Sequence, residues 1–482
     1  MKTIFSQSVP GRTACLPPMP EERAERFLPK ELMRAKRPAL PEVSELDVVR
    51  HFTKLSTFNY GVDSNFYPLG SCTMKYNPKF TEFIAALPGY TTPHPALAQL
   101  PKGAQYTQGS LQTMYEAEEM LCELTGMEAF TSQPMAGANG ELTGALLIAA
   151  YHKHKGNKKT KIICPDAAHG TNPASAVLAG YEVVNIESKD GIVDPEALEA
   201  VLDDSVAAVM MTCPNTLGLF ESHLPVIVEK LRKVDALLYY DGANFNAIMG
   251  KMRIGDVGFD VVHLNVHKTL ATPHGGGGPG AGPVGVSERL VPFLPTHRPA
   301  KAADGTYYLD TDIPESIGHI SPFYGSFAVM LKAFAYMVRL GGEGLTQATE
   351  RAVLNANYMR KRLENHLHIP YNRICMHEFV ASASKLQDEC GVRALDLAKG
   401  LLEKGHHAPT IYFPLIVKEC LMFEPTETES KETLDGFLDD LIDLIETAKK
   451  DPEALFSAPH NTPVRRLDET KAAREMVLVD EV

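Results

Sequence analysis

Lys268 follows an apolar run, DVVHLNVHKT from Asp260, and opens onto a loop rich in glycine and proline, ATPHGGGGPGAGP. In an open α/β sheet the carboxyl ends of the strands are where ligand sites are built. Burial at such a point favours the neutral amine that attacks a carbonyl carbon. A lone lysine in this position more often just caps a strand. Upstream, however, ALLYYDGAN brings Asp241 to the end of another apolar run. Taken alone, Asp241 reads equally well as a turn or N-cap residue. Together, an amine and a carboxylate at the ends of nearby strands suit pyridoxal 5'-phosphate. The lysine forms a Schiff base with the aldehyde, and the acid pairs with the ring nitrogen and keeps it protonated as an electron sink.

Two further stretches fit the same chemistry. SQPMAGANGE (132–141) puts Ala136, Gly137 and Ala138 ahead of an Ala/Leu-rich helix. Small residues at a helix N-terminus let backbone N–H groups approach a phosphate, aided by the helix dipole. DAAHGTNPAS places His169 after a strand, where an imidazole could stack on a ring or simply be a satisfied structural histidine. The order of phosphate turn, aspartate and lysine is that of the aminotransferase-like, fold type I class.

The elements that must hold these residues read as alternating strands and helices. Short apolar runs bounded by turn residues occur at KIICP (161), YEVVNI (181), AAVMMT (207), ALLYYD (236), DVVHLNV (260) and PVGVS (283). Helical spacing covers 111–125, 195–202 and 224–234. Continuous apolar strands separated by helices predict a doubly wound parallel sheet buried on both faces. The expected organisation is an irregular arm over 1–60, a large cofactor-binding α/β domain over 61–335 and a smaller α+β domain over 336–482. The arm is broken by Pro10, Pro17, Pro18, Pro20, Pro29, Pro38 and Pro41, while Phe27, Leu28, Leu32 and Met33 need a surface to cover. In the last region a helix is expected over 344–368 and strands at CMHEFVAS (375) and TIYFPLIV (410). A helix over 393–404 and another capped by Ser430 complete it.

Composition narrows the field. With 482 residues, 44% hydrophobic and 22% charged, the chain has the profile of a water-soluble protein of about two domains. No run approaches the roughly 18 apolar residues of a membrane span. The N-terminal stretch lacks a secretory h-region, so a cytoplasmic location is expected. A net charge of -13 argues against nucleic acid as the main partner. The eight cysteines include no Cys-x-x-Cys pair, which fits reduced thiols and no metal site.

Five strings together resemble the glycine decarboxylase, or P-protein, family of the glycine cleavage system. They are NYGVDSNFYPLGSCTMKYNPK (59–79), SQPMAGANGELTG (132–144), DAAHGTNPASA (166–176), LNVHKT (264–269) and FEPTETESKETLD (423–435). The resemblance implies decarboxylation of glycine and transfer of the aminomethyl group to the lipoyl arm of an H-protein, with release of CO2. It implies pyridoxal phosphate as cofactor and Lys268 as the Schiff-base residue. His169 becomes the ring-stacking partner and Asp241 the ring-nitrogen partner. Ala136–Ala138 and His267 become phosphate or ring contacts. Asn215, in TCPNTLG, could touch the cofactor's phenolic oxygen or merely form a turn. Some members of the family are double-length chains. This one is similar to the separate second subunit, which implies a first-subunit partner, two copies of each.

Rival readings share part of this pattern. An aminotransferase or cysteine desulfurase would keep Asp241 and Lys268 but not the 59–79 string. A non-catalytic scaffold would have no use for either residue. Cys72 lies in a family string, yet a lipoyl arm brings its own sulfur, so no nucleophilic role is needed. The basic run HKHKGNKKTK (152–161) could steer an acidic carrier, although a charge run is usually a solvated face. The loop 275–280 does not open a helix after a first strand, so it is not a dinucleotide fingerprint.

Overall fold

The computed structural model describes residues 2–14, 27–36, 38–100, 102–275 and 280–478. Cys15, Pro17, Pro18, Pro20 and most of the glycine loop (276–279) lie outside the described residues. The chain divides into two compact units, Asn65–Ala458 and a smaller one made of Met1–Ser64 with Pro459–Val482.

The smaller unit is not wholly irregular. A helix spans Glu45–Ser56, because the last of the breaking prolines stands before it and Ser44 and Asp47 form a reciprocal capping box. His51 on this helix meets Gln7 at 2.8 Å. Phe27, Leu28 and Leu32 are exposed.

The larger unit is built on a seven-stranded sheet. Its strands are β1 (Ala129–Thr131), β2 (Lys161–Pro165), β3 (Glu182–Ile186), β4 (Val206–Thr212), β5 (Leu237–Gly242), β6 (Val261–Leu264) and β7 (Val284–Val286). The order is β1-β7-β6-β5-β4-β2-β3, with β7 antiparallel to both its neighbours and the pairs from β6 to β3 parallel. Six of the seven coincide with the apolar runs expected to be strands. β4, VAAVMMT, is buried at every position, as a central parallel strand covered on both faces must be. Register places Asp241 beside Thr212 on one side and His263 on the other.

Helices α1 (Gln108–Thr125), α2 (Gly137–Lys155), α3 (Thr171–Leu178) and the single turn α4 (Val266–Thr269) surround this sheet. α1 buries Leu111, Met114, Ala117 and Leu121 at helical spacing and stops at Gly126, whose φ of 75° closes a left-handed C-cap. The last turn of α2 carries His152, Lys153, His154 and Lys155, where cations complement the helix dipole. His152 of that basic run is itself buried against the Ala207 carbonyl.

Beyond the sheet, α5 runs from Phe327 to Leu363, a longer element than the helix expected over 344–368. Two helices meet at Gly341, whose φ of 62° and ψ of 178° break the spiral without ending the rod. The second sheet is three-stranded and antiparallel, β8 (Phe379–Ser382), β10 (Cys420–Phe423) and β9 (Thr410–Ile411), with β10 central. β9 is shorter than TIYFPLIV suggested, because Tyr412 turns to a φ of 59° and Pro414 has no N–H for a ladder. α6 (Lys431–Lys450) is capped by Ser430, whose hydroxyl accepts from the Thr433 N–H. Its Leu434, Phe437, Leu438, Leu441 and Ile445 are buried with Phe379 and Phe423, each side chain contributing about 1.5–3 kcal/mol of burial. Among the described residues the seven cysteines are free, and no helix is long and apolar enough to cross a membrane.

Candidate active site

β5 and β6 end side by side, and the residues expected to carry chemistry stand at those ends. Asp241 is almost fully buried. One carboxylate oxygen accepts from Asn172 Nδ2 at 2.8 Å and the other from the Ala243 N–H at 3.0 Å. His263 Nε2 lies 3.4 Å from Asp241, while its Nδ1 meets the Tyr239 hydroxyl at 2.6 Å. Burial lowers the His263 pKa, and the Asp241 charge only partly opposes that. A neutral ring then accepts the tyrosine hydroxyl at Nδ1 and carries its proton on Nε2, on the side of Asp241. The carboxylate is thereby fixed before any ligand arrives.

Lys268, on the turn α4 after β6, is buried, and its Nζ donates to the backbone carbonyl of Ser71 at 2.8 Å. That carbonyl belongs to a loop with Ser71 and Thr73 at φ of 63° and 47°. Non-glycine residues occupy this left-handed region only when the surroundings hold them. Here the hold comes from two buried glutamates. Glu378 accepts the Ser71 N–H at 2.7 Å, and Glu424 accepts the Thr73 N–H at 2.9 Å and its hydroxyl. Asn244 and Asn246 brace the two acids, and His377 Nε2 stands 3.7 and 3.8 Å from them. Burial, then the neighbouring Glu424, pushes the Glu378 carboxyl well above its usual range.

Two residues on, Lys75 Nζ donates to the Thr269 carbonyl and to Glu427, both at 2.8 Å. Thus the 71–75 loop is tied to the turn that carries Lys268. Cys72 sits between these anchors. Burial raises its thiol pKa and Lys268 only partly reverses this, so it is not an activated nucleophile.

Ala136 and Gly137 open α2 with no side-chain cap, leaving first-turn N–H groups for a ligand. Ala136 and Ala138 are exposed there. The turn is tightly backed. A Cβ on Gly137 would fall 2.3 Å from Asn265 Oδ1, and one on Gly282 would fall 2.1 Å from the Ala136 carbonyl. His169 is held neutral mainly by burial, in the fields of both Asp241 and Lys268. Burial and then Lys268 hold His267 at about 3, and its Nδ1 is buried without a hydrogen bond among the described residues.

Asn215 corrects an expectation. Its amide donates to the Gly191 carbonyl at 2.7 Å and to Glu221 at 2.8 Å, and its oxygen accepts from the N–H groups of Leu217 and Leu219 at 3.0 and 3.3 Å. All four hydrogen-bonding positions are used, so the turn-forming role stands and nothing is left for a cofactor oxygen. Sequence reasoning also passed over Ser71, Glu141, Asn172, His263, Glu378 and Glu424. Ser71, Glu141, Asn172 and Glu424 lie inside the family strings, which was a usable signal; Glu378 and His263 had none.

Comparison with known proteins is decisive. The family model for the glycine cleavage system P-protein matches residues 21–298, and that for the glycine dehydrogenase C-terminal domain matches 348–462. The chain belongs to the glycine cleavage system P-protein family. A P-protein relative from Caldanaerobacter subterraneus subsp. tengcongensis, probable glycine dehydrogenase (decarboxylating) subunit 2, is 56% identical over 481 residues, covering 98% of each chain. Among solved structures, an inhibitor-bound glycine decarboxylase (P-protein) superposes with a TM-score of 0.71 at 20% identity, covering 87% of this chain and 94% of that one. Glutamate decarboxylase of Lactobacillus brevis does so with a TM-score of 0.65 at 14% identity, covering 89% and 97%. These two likenesses establish a common fold.

Proposed function

We propose that this P-protein family chain is the cofactor-bearing subunit of a two-subunit glycine decarboxylase. It uses pyridoxal 5'-phosphate to release CO2 from glycine and passes the remaining aminomethyl group to the lipoyl arm of an H-protein carrier. The observation that carries the reading is the pairing of Lys268, poised on the Ser71 carbonyl, with the pre-fixed carboxylate of Asp241 at the next strand end. The residues fit the cofactor. Lys268 would hold its carbonyl carbon, Asp241 its ring nitrogen, and the uncapped turn at Ala136, Gly137 and Ala138 its phosphate. His169 would cover the ring face, and His267, with an orphaned buried nitrogen, would lie beside it. When bound, pyridoxal phosphate supplies the electron sink that takes up the pair left behind as glycine loses its carboxylate.

The chain's own residues do the rest. Asp241 would face the ring nitrogen and hold a proton there, its two oxygens kept in place by Asn172 and the Ala243 N–H. The Ser71 carbonyl, which accepts the Lys268 amine in this structure, would hold that amine close when it is not bonded to the cofactor. A first subunit is the expected partner, two copies of each completing the assembly.

The test is direct. Borohydride reduction of the cofactor-loaded chain followed by peptide mapping is expected to leave the adduct on Lys268. Lys268→Ala should abolish glycine/bicarbonate exchange by the co-purified subunits while leaving the circular dichroism unchanged. An adduct elsewhere, or exchange retained in that variant, refutes the assignment.

A further inference from the structure

Glu141 has no part in the reading above, yet it lies at the heart of the site. It stands on the second turn of α2, is buried, and has one carboxyl oxygen with no hydrogen bond among the described residues. Its ligating oxygen comes within 4.8 Å of those of Asp241 and the nearer nitrogen of His263. The groups that face it are Asp241 and Tyr239 on β5, His263 on β6, Cys164 on β2, Lys268 on α4 and Thr171 on α3. Burial, then Asp241, pushes the Glu141 carboxyl up to about 8, against the opposing influence of Thr171 and Lys268.

Its other oxygen is the inner end of a chain. Glu141 Oε1 lies 2.7 Å from Thr171 Oγ1, and Thr171 Oγ1 lies 2.8 Å from His169 Nδ1. The Thr171 N–H also points at that nitrogen, at 3.3 Å. Nε2 of the same ring makes no hydrogen bond among the described residues. A hydroxyl has one proton to donate, so the direction of both bonds is decided together. With a proton on Glu141, the carboxyl donates to Thr171, Thr171 donates to Nδ1, and the imidazole must carry its proton on Nε2. With Glu141 ionised, Thr171 donates to the carboxylate, Nδ1–H donates to Thr171, the Thr171 N–H gives up its 3.3 Å bond to that nitrogen, and Nε2 is bare.

We propose that Glu141, Thr171 and His169 form a proton relay that stores a proton behind the cofactor site and delivers it to, or recovers it from, the substrate at His169 Nε2. Delivery moves three protons by one bond each: Nε2–H to the substrate, the threonine proton to Nδ1, and the Glu141 proton to Thr171. The imidazole begins and ends neutral, its tautomer exchanged, and the negative charge finishes on Glu141. Recovery reverses each step. An amino-acid substrate, which must lose an ammonium proton on entry, has a use for such a store. This rests on the reading of His169 as the residue facing cofactor and substrate. Glu141 and Thr171 are positioning residues that act through it.

Nitrogen-15 NMR of histidine-labelled chain without cofactor tests the relay, with His169→Asn used to assign the signal. The expected result is Nε2–H at pH 6 changing to Nδ1–H above about pH 8, and no change over that range in Glu141→Gln. An unchanged tautomer in the wild-type chain between pH 6 and 9 overturns the proposal, whatever the variants do. In the reconstituted enzyme, Glu141→Gln and Thr171→Val should each lower kcat for glycine/bicarbonate exchange about a hundredfold, with KM and the borohydride adduct at Lys268 retained. The double variant should be no slower than either single one, because one relay is broken only once. Thr171→Ser, which keeps the hydroxyl, should restore most of what Thr171→Val loses. Exchange within twofold of wild type in Thr171→Val also overturns the relay. Loss of the adduct from wild-type protein would instead overturn the site assignment, so the two failures are distinguishable.

Discussion

Lys75→Met should be among the most destabilising single substitutions in the larger unit. The Lys75 side chain is 2% exposed and that of Glu427 is 9% exposed, with their charged atoms 2.8 Å apart. Burial alone would lower the Lys75 pKa. The Glu427 carboxylate and the Tyr336 ring beside it more than reverse this, to about 12. Against an ordinary value of 10.5, that is about 2 kcal/mol of preference for the charged form. The sign follows: a raised lysine pKa gives stability that is full below about pH 10.5 and is lost as pH rises through about 12. Deleting the ammonium costs more than this linkage, because it strands Glu427 as a buried charge whose second oxygen already lacks a partner. Breaking one side of such a pair costs about 3–5 kcal/mol. Restoring neutrality with Glu427→Gln should recover most of it, leaving about 1 kcal/mol. Urea titrations of the single and double variants at pH 7.5, compared at constant m, measure both numbers. A cost below about 1 kcal/mol for Lys75→Met, or a double variant as weak as the sum of the singles, would show that the pair is not a buried clamp.

Two other outcomes test different parts of the structure. Burial pushes the Glu118 carboxyl up to about 7, despite two 2.9 Å bonds from Ser132. Because the native state keeps a proton that the unfolded chain gives up, stability falls as pH rises from about 4.5 to about 7. Glu118→Gln removes that loss, so its stability relative to wild type should rise by about 2.5 kcal/mol between pH 5 and pH 8 in guanidinium titrations; an equal difference at both pH values would refute the buried-acid reading. Cys72→Ala should leave glycine/bicarbonate exchange within about twofold of wild type, since a thiol with a raised pKa is mostly unionised at neutral pH. A large loss would restore a chemical role to that sulfur.

Most of the large sheet was legible because parallel strands buried on both faces announce themselves as unbroken apolar runs, and β2, β4, β5 and β6 did so. The strand-end positions of Asp241 and Lys268 were legible because a buried charge at the end of such a run is a conflict with its apolar surroundings. Where the reading fell short, local signals were overruled. Prolines in the arm masked the helix at Glu45–Ser56, which needs only Ser44 and Asp47 to begin. The helix expected over 344–368 is only the second part of α5, which bends at Gly341 and begins at Phe327. Asn215 looked available until its four bonds were counted. The Ser71 carbonyl was legible only through the family string around it, since a backbone atom has no residue type to betray it.

That carbonyl explains the most unusual string in the chain. FYPLGSCTMKYNP contributes no side chain to the cofactor site as proposed. Instead Thr73 meets Glu424, Lys75 meets Glu427 and the Tyr76 N–H meets Thr428, so that 66–78 closes on the FEPTET stretch more than 340 residues away. Both stretches are thus one structural device, whose product is a strained loop holding the Ser71 oxygen 2.8 Å from Lys268. Strain of this kind persists only if several contacts over-determine it, and here two acids, a lysine and an asparagine do. In the role proposed for Lys268 the amine would leave its partner and retake it each turnover, and a fixed acceptor would give it a place to wait. The string supplies that place through its backbone, while its side chains keep the backbone there.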